Sequence, residues 1–361
     1  MATLGDLGLL LLGRTSGLSK VRALCALSRR HHAAGERAEA EQSARDAEAA
    51  ARDDEGNRDR SLGHVAEAWH LLGNADDVQR VCDDAAAAAA ALEGRDRAYA
   101  WCALADLYHT LGRSLDTYDA VDKAAQTARA LAGLERVEIL VDAAEQLVRA
   151  RSRSRAEELV REIEAEAASM TGKDRAVALG LLAGVHFDLD NTLAARTAVD
   201  EAVAGAASCA ILDRIILLTG AVETYISLGD KSRARDVLQS AQRDLLASEE
   251  AENEVLQLCI ARGYGELADL PPVFDLARPL SDIGRLRVLS SVASIMHGKH
   301  KDDAAATRLI VASFDAASTL TGRLRQRAID RLAPLCLDLD ALPLDDGAYE
   351  RCAEIARRLA E

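Results

Sequence analysis

The chain has 361 residues, with 44 Lys and Arg against 59 Asp and Glu and a formal net charge of −15. That balance argues against nucleic acid as the partner, because affinity for its backbone comes from Lys and Arg neutralising phosphates. The seven cysteines are odd in number and contain no CxxC, which argues against a disulfide framework or zinc ribbon and for small buried hydrophobes in a reducing, cytoplasmic setting.

Residues 1–12, MATLGDLGLLLL, open the chain with a short apolar run. Asp6 interrupts it and no basic residue precedes it, so it is not read as a leader peptide, and it is too short to cross a bilayer. No membrane partner is expected. Residues 1–18 are expected to form a capping half-repeat at one end of a stacked array.

Residues 19–50 begin a regular pattern, and the acidic link around Asp53, Asp54 and Asp59 separates them from the next unit. The link lacks the spacing and closing Glu of a calcium loop. The pattern is plainest from Arg97 to Ala124, RAYAWCALADLYHTLGRSLDTYDAVDKA. Apolar and small residues fall at helical spacing on both sides of Gly112, which predicts two helices joined by a turn. Equivalent turns are expected at Gly35, Gly73, Arg151, Asp190, Gly229, Ala268 and Gly298. The spacing is 38, then 39 five times, then 30, and a fixed period in this range marks a solenoid.

Within each repeat the positions are consistent. A mostly small residue stands seven before the turn, as at Ala66, Ala105, Ala144 and Ala183. Four before it come Trp69, Tyr108, His186, Tyr225 and Tyr264, and twelve after it Ala47, Ala85, Ala124, Ala202 and Ala241. Small residues let helix backbones approach, and large ones fill the space between pairs.

The regular stretch is expected to span 19–267. At DLPPVFDLARPLSDIG it breaks, and Pro279 should end a shortened helix. Residues 268–361 are expected to hold irregular repeats: a helix pair over 284–320, then a last pair with Pro334, Pro343 and Asp345-Asp346 at its turn. The final helix is placed at 346–360.

Trp101, Leu104, Ala105, Tyr108, Gly112 and Ala124 together resemble the tetratricopeptide repeat, as do Ala234 and Ala241 after Gly229. The repeat here is 39 residues rather than the usual 34, and the closing Pro is absent. The resemblance implies an all-α, right-handed α-solenoid of about nine antiparallel helix pairs. It also implies that the first helix of each pair lines a concave groove. Carried over residue by residue, groove positions are Arg22, Arg29, His32, Arg60, Glu67, His70, Tyr99, Asp106 and His109, then the more apolar Val141, Val148, Phe187, Ile216 and Ile226. A peptide with an acidic end and a hydrophobic stretch would suit such a surface.

Other patterns carry less. His32, His70 and His109 each stand three before a turn, but ligands from successive layers are spaced too widely for a zinc site, so no metal or cofactor is expected. The pairs Asp96-Arg97, Glu135-Arg136, Asp174-Arg175 and Asp213-Arg214 read as structural: an acid suits a helix start, and the Arg can bridge to the adjacent layer. Gly263-Tyr264-Gly265-Glu266-Leu267-Ala268 matches a dinucleotide pattern but lies inside a helix with no strand before it. No nucleophile or P-loop motif appears. The expected function is a non-catalytic scaffold or adaptor that binds another protein or peptide. The alternative is a sensor module holding a small molecule or signalling peptide, and an enzyme using the His row comes third.

Overall fold

The computed structural model describes residues 3–54, 56–251, 253–340, 342 and 344–361. Pro343, expected at the last turn, lies outside them. Among the described residues the secondary structure is helical throughout, with no strand. The helices are α1 (Leu4–Leu12), α2 (Gly17–Ala33), α3 (Arg37–Asp53), α4 (Arg58–Leu71), α5 (Ala75–Ala91), α6 (Gly94–Thr110) and α7 (Ser114–Ala128). Then follow α8 (Gly133–Arg149), α9 (Arg153–Ser169), α10 (Gly172–Asp188), α11 (Thr192–Ala206), α12 (Ile211–Ser227) and α13 (Lys231–Leu246). The chain ends with α14 (Glu254–Glu266), α15 (Leu270–Ala277), α16 (Asp282–Ile295), α17 (Asp303–Ala317), α18 (Gly322–Asp338) and α19 (Asp346–Ala360). The architecture is an α-solenoid of antiparallel pairs, TPR-like in plan, in which each even-numbered helix is the first of its pair.

The turns explain the period. Gly35, Gly73, Gly112, Arg151, Asp190, Gly229 and Ala268 all have positive φ, between 56° and 79°. Each closes the first helix with a left-handed residue; in the third repeat, for example, Arg113 N–H donates to the Tyr108 carbonyl at 2.8 Å. The eighth turn departs from expectation. Gly298 lies within a π-helical turn, Met296–His300, and the left-handed residue is Lys301. The π turn extends the first helix and delays the reversal by three residues.

By its contacts the chain divides into two compact units, residues 1–85 with 264–361, and residues 86–263. In the second unit α6, α8, α10 and α12 lie side by side, each against its own second helix. The small residues do what their spacing requires: Ala105, Ala144, Ala183, Ala124 and Ala241 are fully buried. Tyr225 is buried too, and its hydroxyl donates to Asp200 at 2.6 Å.

The Arg row of this unit bridges within pairs rather than to the adjacent layer. Arg136 on α8 binds Glu162 on α9, Arg175 on α10 reaches Glu201 on α11 at 3.4 Å, and Arg214 on α12 reaches Asp244 on α13 at 3.6 Å. The neighbouring Asp96, Glu135, Asp174 and Asp213 lie in the first helical turn and are not the capping residues. Their charge suits the helix dipole there.

In the first unit α2 packs on both α3 and α4. Trp69 is buried and donates to Glu48 at 3.2 Å, while Arg80 and Arg52 pair with the same carboxylate. The short α1 packs chiefly against α18 and α19, and α18 also packs on α2, so the first and last helices of the chain are neighbours. Gly5 and Gly8 permit this approach: a methyl group at Gly8 would stand 2.7 Å from Leu337 Cγ. The shortened helix near the prolines is α15, eight residues, with proline in its first turn. Pro334 does not mark a turn; α18 runs through it and ends at Asp338.

Candidate functional site

One face of the first helices carries the groove positions read from the sequence, mostly three, six and thirteen residues before each turn. In the first unit this face presents Arg22 and Arg60, both exposed, and Arg29, paired with Asp338 at 2.6 Å. Glu67 is half-buried, 3.8 Å from His64. His32 and His70 are exposed, and His32 borders a small cavity of about 160 Å³ with Gly35, Arg37 and Leu72.

The second unit holds Tyr99, Asp106 and His109. Tyr99 donates to Glu138 on the next first helix at 2.9 Å, while Arg95 lies over its ring, 5.1 Å from the centroid. Asp106 pairs with Arg149, again on the next layer. His109 is half-buried. His32 and His70 belong to the first unit and His109 to the second. Among the described residues no group of three or more His, Cys, Asp or Glu has a metal-holding geometry.

Sequence reasoning missed the centre of this face in the second unit, which is acidic. Glu145 is pushed up to about 7, first by burial and then by Asp142, Asp188 and Glu223, with Arg149 the opposing cation. Asp142 and Asp188 are raised as well, each chiefly by burial. The signal was available: Asp106, Glu145 and Glu223 all stand six residues before a turn. The apolar positions read from the resemblance divide. Ile216 is 48% exposed and Val148, Phe187 and Ile226 are half-buried, whereas Val141 is buried at 2% and belongs to the packing between helices.

No protein-family model matches the sequence, and no curated protein matches it. Solved structures do. A monomeric mutant of IFIT1 with Gppp-AAAA is similar over 99% of this chain and 95% of its own, at 14% identity and a TM-score of 0.34. Human IFIT1 dimer with m7Gppp-AAAA is similar over 99% and 94%, at 13% identity and the same TM-score. A circular tandem repeat protein with novel repeat topology is similar over 95% of both chains, at 13% identity and a TM-score of 0.25. These likenesses concern the fold alone.

They also correct one expectation. Nucleic acid was excluded as a partner on the net charge, yet the IFIT1 structures of similar helical fold hold capped oligonucleotides. A charge summed over a whole chain does not describe the local field of one surface, and the exclusion is withdrawn. No helix among the described residues is long and apolar enough to cross a membrane.

Proposed function

We propose that the chain is a non-catalytic binding scaffold that takes a segment of a partner protein or peptide along the open face of α6, α8, α10 and α12. The observation that carries this reading is Glu145. It is a half-buried carboxylate with no ion-pair or hydrogen-bond partner among the described residues, set among Asp142, Asp188 and Glu223 with Arg149 the opposing cation. Burying a charge without a partner is costly, and a cationic side chain placed there would relieve it. The half-buried Val148 and Phe187 beside these acids offer apolar contact. A peptide combining Lys or Arg with apolar residues at helical-repeat spacing fits this surface. The orientation is opposite to the acidic-ended peptide that the resemblance implied, because the carboxylates dominate the face.

The test is selection of random peptides on the immobilised full chain, followed by affinity measurement with a Glu145→Lys, Asp188→Lys variant of unchanged melting temperature. The expected result is enrichment in Lys and Arg and at least a tenfold loss of affinity in the variant. Peptides without basic residues, or affinity that the charge reversal leaves unaltered, would overturn the reading. So would a capped oligonucleotide that binds this same face in competition with the peptides.

A further inference from the structure

Arg97 breaks a rule that its own row obeys. In the second unit Arg136, Arg175 and Arg214 each face a carboxylate on the second helix of the pair: Glu162, Glu201 and Asp244. These acids stand eleven or fifteen residues after their turns. The same two positions opposite Arg97 hold Lys123 and Thr127. Among the described residues Arg97 pairs with no carboxylate, and its side chain donates to the Leu92 carbonyl.

A cavity of about 590 Å³ opens at this point, lined by Arg97, Trp101, Lys123, Gln126, Thr127 and Leu131, among others. The corresponding cavity two layers on, about 480 Å³, contains the compensated pair Arg175 and Glu201. The Lys123 ammonium sits 4.4 Å from the centroid of the Trp101 ring and pairs at the rim with Asp119 at 2.6 Å. Two cations and one carboxylate leave a surplus positive charge beside a largely buried indole. Gly94, the first residue of the 17-residue α6, also borders the cavity, so the positive end of that helix dipole lies at its edge. Polar groups at one side and indole, Leu131 and aliphatic stems at the other describe a pocket for an amphipathic small ligand.

We propose that the cavity between α6 and α7 binds a small organic anion, a phosphate or carboxylate attached to a flat apolar group. Its acid lies between Arg97 and Lys123 and its flat part against Trp101. The missing carboxylate is the vacancy that the ligand's own charge fills. This site is on the opposite side of α6 from the peptide face and stands or falls independently of it.

Phenyl phosphate is the probe, with phenol and inorganic phosphate as comparators, titrated into the full ¹⁵N-labelled chain. The chain has two tryptophans, so two indole signals report separately. The Trp101 signal is expected to shift with phenyl phosphate, while that of Trp69, held by Glu48, stays in place. Phenol and phosphate should each bind at least tenfold more weakly. Lys123→Glu restores the acid that the other layers carry; it should keep or raise the melting temperature and weaken phenyl phosphate at least tenfold. Should that variant not fold, Arg97→Gln tests the same charge and should weaken the probe as much. An unmoved Trp101 signal, phenol binding as tightly as phenyl phosphate, or undiminished affinity in the folded charge variant would overturn the proposal.

Discussion

Arg29 on α2 and Asp338 on α18 form an ion pair at 2.6 Å, although 309 residues of sequence separate them. Around it Arg30 reaches Asp6 at 2.8 Å and Asp340 at 3.4 Å, and Ser16 N–H donates to Asp330 at 2.9 Å. These groups are partly exposed, so each pair contributes at most about 1 kcal/mol. Close packing matters more. Gly8 lies on α18, with Leu337 Cγ 2.7 Å and the Ala333 carbonyl 3.1 Å from where a side chain would begin. Gly8→Val should lower stability by about 1–3 kcal/mol, the usual range for overpacking. Arg29→Ala should cost less than about 1 kcal/mol. Urea unfolding of both variants measures the difference, and a larger loss in Arg29→Ala would reverse the ranking.

Glu145 should make stability depend on pH in an unusual direction. In the unfolded chain it loses its proton near the ordinary carboxylate value; in the folded chain it keeps the proton until about pH 7. Between these values the native state binds more protons, so this group's contribution falls as pH rises through the window. Above it the full penalty applies, up to about 3 kcal/mol for a shift of this size. Glu145→Gln should therefore match the wild type near pH 4, below the unfolded value, and exceed its stability at pH 8. Thermal melts of the two chains across that range should diverge; parallel curves would count against a raised Glu145.

The repeat was legible in the sequence because it rests on packing constraints that recur. Ala105, Ala144 and Ala183 are small since two backbones meet there, and each is fully buried. The seam between the chain's ends was not legible. Nothing about Gly5 or Gly8 as single residues announces a partner more than 300 positions away. Gly263 and Gly265 were similarly opaque. They read as an accidental dinucleotide motif, while their lack of side chains in fact admits Leu238 to the first and Val292 to the second. The candidate face was half legible. The resemblance proposed where it lies, and its charge comes from residues that several helices bring together.

The cysteines offer a chemical check on burial. Cys25 and Cys352 are pushed up to about 12, chiefly by burial, and Cys102 and Cys336 are raised for the same reason. Cys259 is raised as well, chiefly by burial, with Arg262 opposing the rise, but it is half-buried where the other six are buried. Reaction requires access as well as thiolate, so a thiol reagent at pH 8 should modify Cys259 first and the others only on unfolding. Cys259→Ser should abolish the fast phase, and a fast phase that survives this substitution would place an exposed thiol elsewhere.

The turns allow a paired test of the period itself. Ala268 holds φ at 56°, a conformation that costs an L-residue about 1–2 kcal/mol, and its neighbours bind it there. Ala268 N–H donates to the Gly265 carbonyl and Asp269 N–H to the Tyr264 carbonyl, both at 2.9 Å. Glycine would remove the strain but add freedom to the unfolded chain, an opposing effect of about 0.5–1 kcal/mol. Ala268→Gly should thus raise stability by roughly 0.5–1 kcal/mol. Gly112→Ala, at φ 71° with open space around the added methyl, should lower it by a similar amount. Asp190→Gly should change it least, because Asp tolerates the left-handed region better than Ala does. Denaturant melts of the three variants give the order. If Ala268→Gly destabilises the chain while Gly112→Ala does not, backbone strain is not what the turn positions share.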